Sequence, residues 1–354
     1  SPAYSGERNM MKDDIFYLTK LCGLTGEEDE VSRGLSILLE PLVDEMKIDE
    51  MGNLIGIRRC ADPYAERLLL TAHMDQVGMV ITDIVDEGFA CVAGLGVDSR
   101  VMLGTKLQVL TEYGKLYCCS AALPPHLQKE GDDSAPVCMD QIWIDLGMNG
   151  EEARKLINPG DAVVFDVQPT MLLHDRATAA ALDDRVGVAC ILAALRALVG
   201  KELHCELQVL FATMEESNHE GCAAAMHSLC PDSVIAVDVC HAKTIGCKEY
   251  DRVHEFGCGA VIAYGMNSMP RFAGTLERIA LKNGIPYERE ALPGKSFTDA
   301  WVAQTANKGA RTAVVSIPLR HMHTPVEIID LRDAAAVTEL LKETCLVWEG
   351  LNDE

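Results

Sequence analysis

Short apolar runs with a polar residue at or just beyond the carboxyl end recur along this chain, and helix-periodic segments alternate with them through its second half. Leu68-Leu69-Leu70-Thr71-Ala72 runs into His73, and the segment 206–213 leads to Glu215. The segment 233–239 encloses Asp238, and 312–316 precedes His321 and His323. Runs this apolar suit strands covered on both faces, as in parallel sheets. Apolar spacings of three and four residues predict helices over 185–198, 220–227, 271–283 and 333–347. Such alternation implies an α/β fold with a mixed, mostly parallel sheet flanked by helices.

From about Gly78 to Val167 the pattern changes. Short β-rich pieces at 79–84, 106–110, 142–146 and 162–165 are separated by Gly, Pro and Asp turns, predicting a small β domain. The large domain is then discontinuous, 1–77 and 168–354, with the insert at 78–167. Two helices are expected between Asp13 and Glu45, broken at Leu24-Thr25-Gly26, and Ser1 to Arg8 reads as a polar, irregular tail.

Charge narrows the partners. Lys plus Arg total 31 against 54 Asp plus Glu, a net charge of -23, which opposes nucleic acid and anionic membrane surfaces. No apolar stretch approaches the roughly 20 residues that span a bilayer. The 14 cysteines are scattered, no CxxC occurs, and no charged-then-apolar leader precedes Met10 and Met11, which together point to a reducing cytoplasm.

The chemistry lies at the strand ends. His73 and Asp75 end the first run, where open α/β sheets place ligands. Asp183 and Asp184 precede a helical run; one aspartate suffices as an N-cap, and the other is left to bridge cations through its two oxygens. Glu215 and Glu216 repel one another at a sheet end unless a cation compensates, so one fits a ligand and the other a general base. Asp238 lies in an otherwise apolar strand and needs a partner. His321 and His323 follow the run at 312–316, and one of the two is expected to face the site. Histidines and carboxylates gathered at one sheet edge suit paired zinc, cobalt or manganese ions that activate water. His126, His174, His204, His227 and His254 read as surface or satisfied core histidines.

The strings AHMDQVG (72–78), LPPHL (123–127), IDLGMNGEEA (144–153), ALDDRVG (181–187), MEE (214–216), AVDV (236–239) and IPLRHMHTPVEIIDL (317–331) come in an order that resembles the M42 family of glutamyl aminopeptidase-like metallopeptidases, which includes the tetrahedral TET aminopeptidases. The resemblance spans nearly the whole chain. It implies a zinc-exopeptidase-like aminopeptidase acting on peptides, with two divalent ions per subunit. His73 and Asp238 would hold one ion, Glu216 and His323 the other, and Asp183 both. It further implies Glu215 as base, Asp75 orienting His73, a strained peptide before Asp184, and a barrel-like or PDZ-like dimerisation insert in assemblies from dimer to dodecamer.

The chain departs from the family pattern at Gln76, at Ser217 to Glu220, and at Phe297 and Trp301 beside Asp299. Glu220, His321 and Asp299 are expected near the substrate pocket, with Glu220 disfavouring acidic amino-terminal residues. Two rival readings share the ligand set: an amidohydrolase for N-acylated small molecules, and an inactive metal-binding scaffold.

Overall fold

The computed structural model describes residues 2–120, 123, 125–127, 137–248 and 251–351, with side chains from residue 9 onward except that of residue 125. The string at 123–127 therefore has Pro124 outside the described residues. An 11-stranded mixed sheet forms the larger body. Its parallel centre joins Glu206–Ala212, Arg67–His73, Ser233–His241 and Arg311–Arg320, and antiparallel strands extend both edges. A branch of Ala260–Gly265 and Tyr287–Leu292 leaves Arg311–Arg320.

Successive residues of a strand point to opposite faces, and the core divides accordingly. Leu68, Leu70 and Ala72 join Leu207, Val209 and Phe211 beneath the helices Leu182–Ala197 and Leu331–Val347. Leu69, Leu210 and Ala212 join the other layer, under Glu220–Leu229 and Asp299–Thr305. Both faces being covered explains why these strands carry no polar alternation.

Between Gly78 and Phe165 six strands close a barrel in the order Gly78–Ile84, Phe89–Leu95, Trp143–Asp145, Gly114–Ser120, Thr105–Thr111 and Ala162–Phe165. Its interior holds Met79, Ile81, Leu107, Val109, Ile144 and Val163. Gly78 stands where the chain passes from sheet to barrel. A Cβ there would lie 2.7 Å from the Val163 carbonyl oxygen and 2.8 Å from Leu24 Cδ1, so the crossing requires glycine.

Several elements differ from expectation. Residues 2–8 of the expected irregular tail are helical, part of a helix that spans Pro2–Leu18. The predicted strand 312–316 is the middle of Arg311–Arg320, which delivers His321 and His323 directly at its end. The predicted helix 185–198 begins at Leu182, with non-helical backbone at Asp183 and Asp184. No helix among the described residues is long and apolar enough to cross a membrane.

Candidate active site

Register brings the functional side chains to one level. Ala212 pairs with His73 in parallel, so the chain beyond Ala212 turns through left-handed Met214 (φ 54°) and presents Glu215 and Glu216 beside His73. Ser233–His241 pairs with Arg67–His73 so that Ala236 faces Thr71, and the same offset carries Asp238 level with His73. After Arg320, His321 and His323 are both left-handed (φ 61° and 62°), turning the chain back on itself. Left-handed backbone at such residues is uncommon, and here it sends His323 to Asp183 and His321 to a separate depression, although two residues that far apart on an extended strand would share a face.

Asp183 enters from the helix start, where the Asp183–Asp184 peptide is cis. The two aspartates make different contacts. Asp184 Oδ1 accepts the Gly187 N–H at 3.0 Å and so caps the regular helix, whereas Asp183 faces the cleft.

Asp183 is contacted on both oxygens. His73 Nε2 lies 3.1 Å from Oδ1 and His323 Nε2 3.3 Å from Oδ2. Glu216 Oε1 is 3.1 Å from His323 Nε2, and Asp238 Oδ1 and Glu215 Oε2 are 4.0 and 3.9 Å from His73 Nε2. Donor atoms of His73, Asp183 and Glu216, and again of His73, Glu215 and Asp238, lie within 4.8 Å of one another.

Burial makes this gathering of acids costly. It pushes the Asp238 carboxyl well up, with Asp184 and Glu215 adding to the effect. It lifts Glu216, aided by Asp183, and carries Glu215 up to about 7 against the opposing pull of His73 and His219. Divalent cations would relieve that repulsion, and carboxylates mixed with imidazoles are a borderline donor set suited to zinc, cobalt or manganese. The residues present therefore fit a metal pair.

Two buried acids hold the constellation in place. Asp75 accepts the backbone N–H groups of Glu215 and Glu216, each at 3.1 Å, and the Thr25 hydroxyl at 2.8 Å; its Oδ1 lies 3.3 Å from His73 Nδ1. Burial alone would raise this carboxyl, but His73 and Thr25 outweigh it and leave Asp75 below the ordinary range. One carboxylate thus positions a histidine and both glutamates. Asp75→Asn keeps the shape but turns an amide N–H group toward donors. It is expected to weaken divalent-ion affinity by about 10–100-fold, measured by calorimetric titration of the metal-stripped chain.

Glu327 escaped the sequence reading. Its two carboxylate oxygens accept the backbone N–H groups of Asp183 (3.1 Å) and His323 (2.8 Å), tying the helix start to the histidine turn. The available signal was an acid directly followed by Ile328 and Ile329 in the short strand Glu327–Asp330. His219 was also missed: its Nδ1 lies 3.1 Å from Glu215 Oε1 and 3.5 Å from Asp299 Oδ1. Burial pulls that imidazole down, but these two carboxylates raise it to about 10.

The expected pocket residues lie elsewhere. Glu220 is turned away from the cleft, its carboxylate accepting the Ser217 hydroxyl at 2.6 Å and the Asn218 N–H at 3.0 Å, because these neighbours offer local donors at the helix start. Glu220 therefore gives no ground for a bias against acidic amino-terminal residues. Asp299 is buried behind the cleft and accepts the Thr71 hydroxyl at 2.9 Å, and His321 lines a separate depression with Arg252 and Leu319. The cleft itself, about 430 Å³, is walled by Phe297, Met322 and Leu292. Trp301 packs edge-on against both His219 and Phe297 at 5.7 and 6.2 Å, with Lys295 Nζ over its ring.

This fold and cleft are those of a metallopeptidase-like hydrolase. The chain belongs to the M42 glutamyl aminopeptidase family, whose model matches residues 52–340. It is 31% identical to the lysyl aminopeptidase of Pyrococcus furiosus over 90% of this chain and 92% of that one. An aminopeptidase from the archaeon Desulfurococcus kamchatkensis superposes with a TM-score of 0.90 at 30% identity, covering 97% of this chain and 96% of the other. The TET1 peptidase of Pyrococcus horikoshii, which can assemble into a tetrahedron or a large octahedral shell, superposes with a TM-score of 0.85 at 28% identity over 96% of this chain and all of that one.

Proposed function

We propose that this chain removes amino-terminal residues from peptides with a pair of divalent ions, zinc in the first instance. His73 and Asp238 would hold one ion, Glu216 and His323 the other, and Asp183 both. The observation that supports this best is the Asp183 carboxylate, with a different imidazole on each oxygen. When bound, such ions polarise a carbonyl and acidify water. Glu215 accepts the proton of the attacking water and returns it to the leaving amine, one group serving first as base and then as acid. Asp75 and Glu327 keep the ligand-bearing backbone fixed, and His219 holds the Glu215 oxygen. The acidic inner end of the cleft complements a substrate's cationic amino terminus, while Phe297 and Met322 take its first side chain.

The reading also carries a homo-oligomer assembled through the barrel at 78–167, supported by Phe89, Tyr117 and Trp143, which the barrel leaves exposed. The scattered cysteines support a cytoplasmic location.

The test is direct. The metal-stripped chain is refilled with zinc, cobalt or manganese and given aminoacyl reporters beside their N-acylated counterparts. Only the free-amine substrates are expected to turn over. Preference for acylated substrates would make the chain an amidohydrolase, and metal uptake without hydrolysis of either would make it a scaffold.

A further inference from the structure

We propose that Cys240, His254 and Glu290 form an additional divalent-cation site on the wall of the cleft, separate from the proposed metal pair. One donor atom from each lies within 4.8 Å of the others, and all three residues are buried. Three elements converge there. Cys240 is near the end of Ser233–His241, two residues beyond Asp238 and so on the same strand face, and Glu290 is on Tyr287–Leu292. His254 is pinned between them by its N–H to the His241 carbonyl oxygen (2.9 Å) and by the Lys243 N–H to its own carbonyl oxygen (2.8 Å).

The imidazole indicates a cation rather than a packed core. His254 Nδ1 lies 2.8 Å from Glu288 Oε2. A carboxylate only accepts, so in the neutral ring Nδ1 carries the proton and Nε2 keeps its lone pair. That Nε2 is buried and has no hydrogen-bond partner among the described residues, although the side chain is 7% exposed. A carboxylate on one ring nitrogen and a free lone pair on the other is the arrangement that orients metal-bound histidines, and Asp75 and His73 show a similar pairing across the cleft. Burial also holds the Glu290 carboxyl above its ordinary range, with His254 opposing, a cost that a cation would remove.

The donor set of thiolate, imidazole and carboxylate favours zinc or cobalt over calcium or magnesium. Coordination displaces the Cys240 thiol proton to solvent. Cys240 and Glu290 both line the cleft, so the fourth position opens toward it and takes water. The ion would clip the 251–258 segment to both strands. A second grouping, Cys258 and Glu288 with the same histidine, lies at the Nδ1 end that Glu288 already occupies.

The test uses the full chain, stripped with a chelator and titrated with cobalt(II), following metal content and the near-ultraviolet thiolate-to-cobalt charge-transfer band. The wild type is expected to show the band. Cys240→Ser and His254→Gln are each expected to lose it and to bind one ion per chain fewer, whereas Cys258→Ala keeps both. Absence of the band in the wild type, or its persistence in either Cys240→Ser or His254→Gln, would overturn the site. The count is a difference between variants, so failure here is distinguishable from failure of the metal pair, which is read on His73 and Asp183 variants.

Discussion

Glu215→Gln is expected to keep its divalent ions and to lose about 10²–10⁴-fold in kcat, the range that a positioned general base contributes. The amide is nearly isosteric, so the cleft wall and the backbone hydrogen bond from Glu215 N to Asp75 are preserved. What disappears is the ability to take a proton. The wild-type carboxyl is suited to proton transfer because burial carries it up to about 7, near the pH at which such an enzyme works, while His73 and His219 restrain the shift. Its Oε1 lies 3.1 Å from His219 Nδ1, which leaves Oε2, 3.9 Å from His73 Nε2, as the oxygen nearer the shared ligands. The measurement is kcat on an aminoacyl reporter at saturating metal, with bound ions counted on the same sample. Full turnover in the loaded variant would remove Glu215 from the proton transfer, whatever the metals prove to be.

What could be read from the sequence depends on how locally each feature is encoded. The central strands were legible because burial on both faces forces uninterrupted apolar runs, and His73, Glu215 and Glu216 were legible as candidates because each stands at or just beyond the end of such a run. Asp183 beside Asp184 was resolvable by counting: one helix start needs one cap, and Asp184 takes that role through Gly187. Phe89–Leu95 and Gly114–Ser120 were not legible, because most of their residues are exposed or half-buried and so need not be apolar. Glu327 and His219 escaped for a different reason. Their roles are contacts made across the fold or through left-handed turns, with Asp183 and His323 in one case and Glu215 and Asp299 in the other. Glu220 shows the converse error: a charge in the right loop satisfied its hydrogen bonds locally and never reached the cleft.

Of the proposed ligands Asp183 should matter most, and its removal separates a bridged pair from two independent sites. Asp238 lies 4.0 Å from His73 Nε2 and Glu216 3.1 Å from His323 Nε2, whereas the oxygens of Asp183 reach both histidines within 3.3 Å. Asp183→Ala is therefore expected to weaken both ions together and to abolish measurable hydrolysis. Asp238→Asn should release one ion and leave the other. In the metal-free chain, removing Asp183 also deprives His73 and His323 of the carboxylate that pairs with both, contacts that hold the Asp183 carboxyl well below its ordinary range. The metal-free variant should then be less stable to heat at neutral pH than the metal-free wild type, and the metal-dependent rise in melting temperature should be lost as well. Calorimetric metal titration and thermal unfolding with and without zinc measure the two effects on the same variants. An Asp183→Ala chain that still binds two ions with wild-type affinity would show that the carboxylate between the histidines bridges nothing.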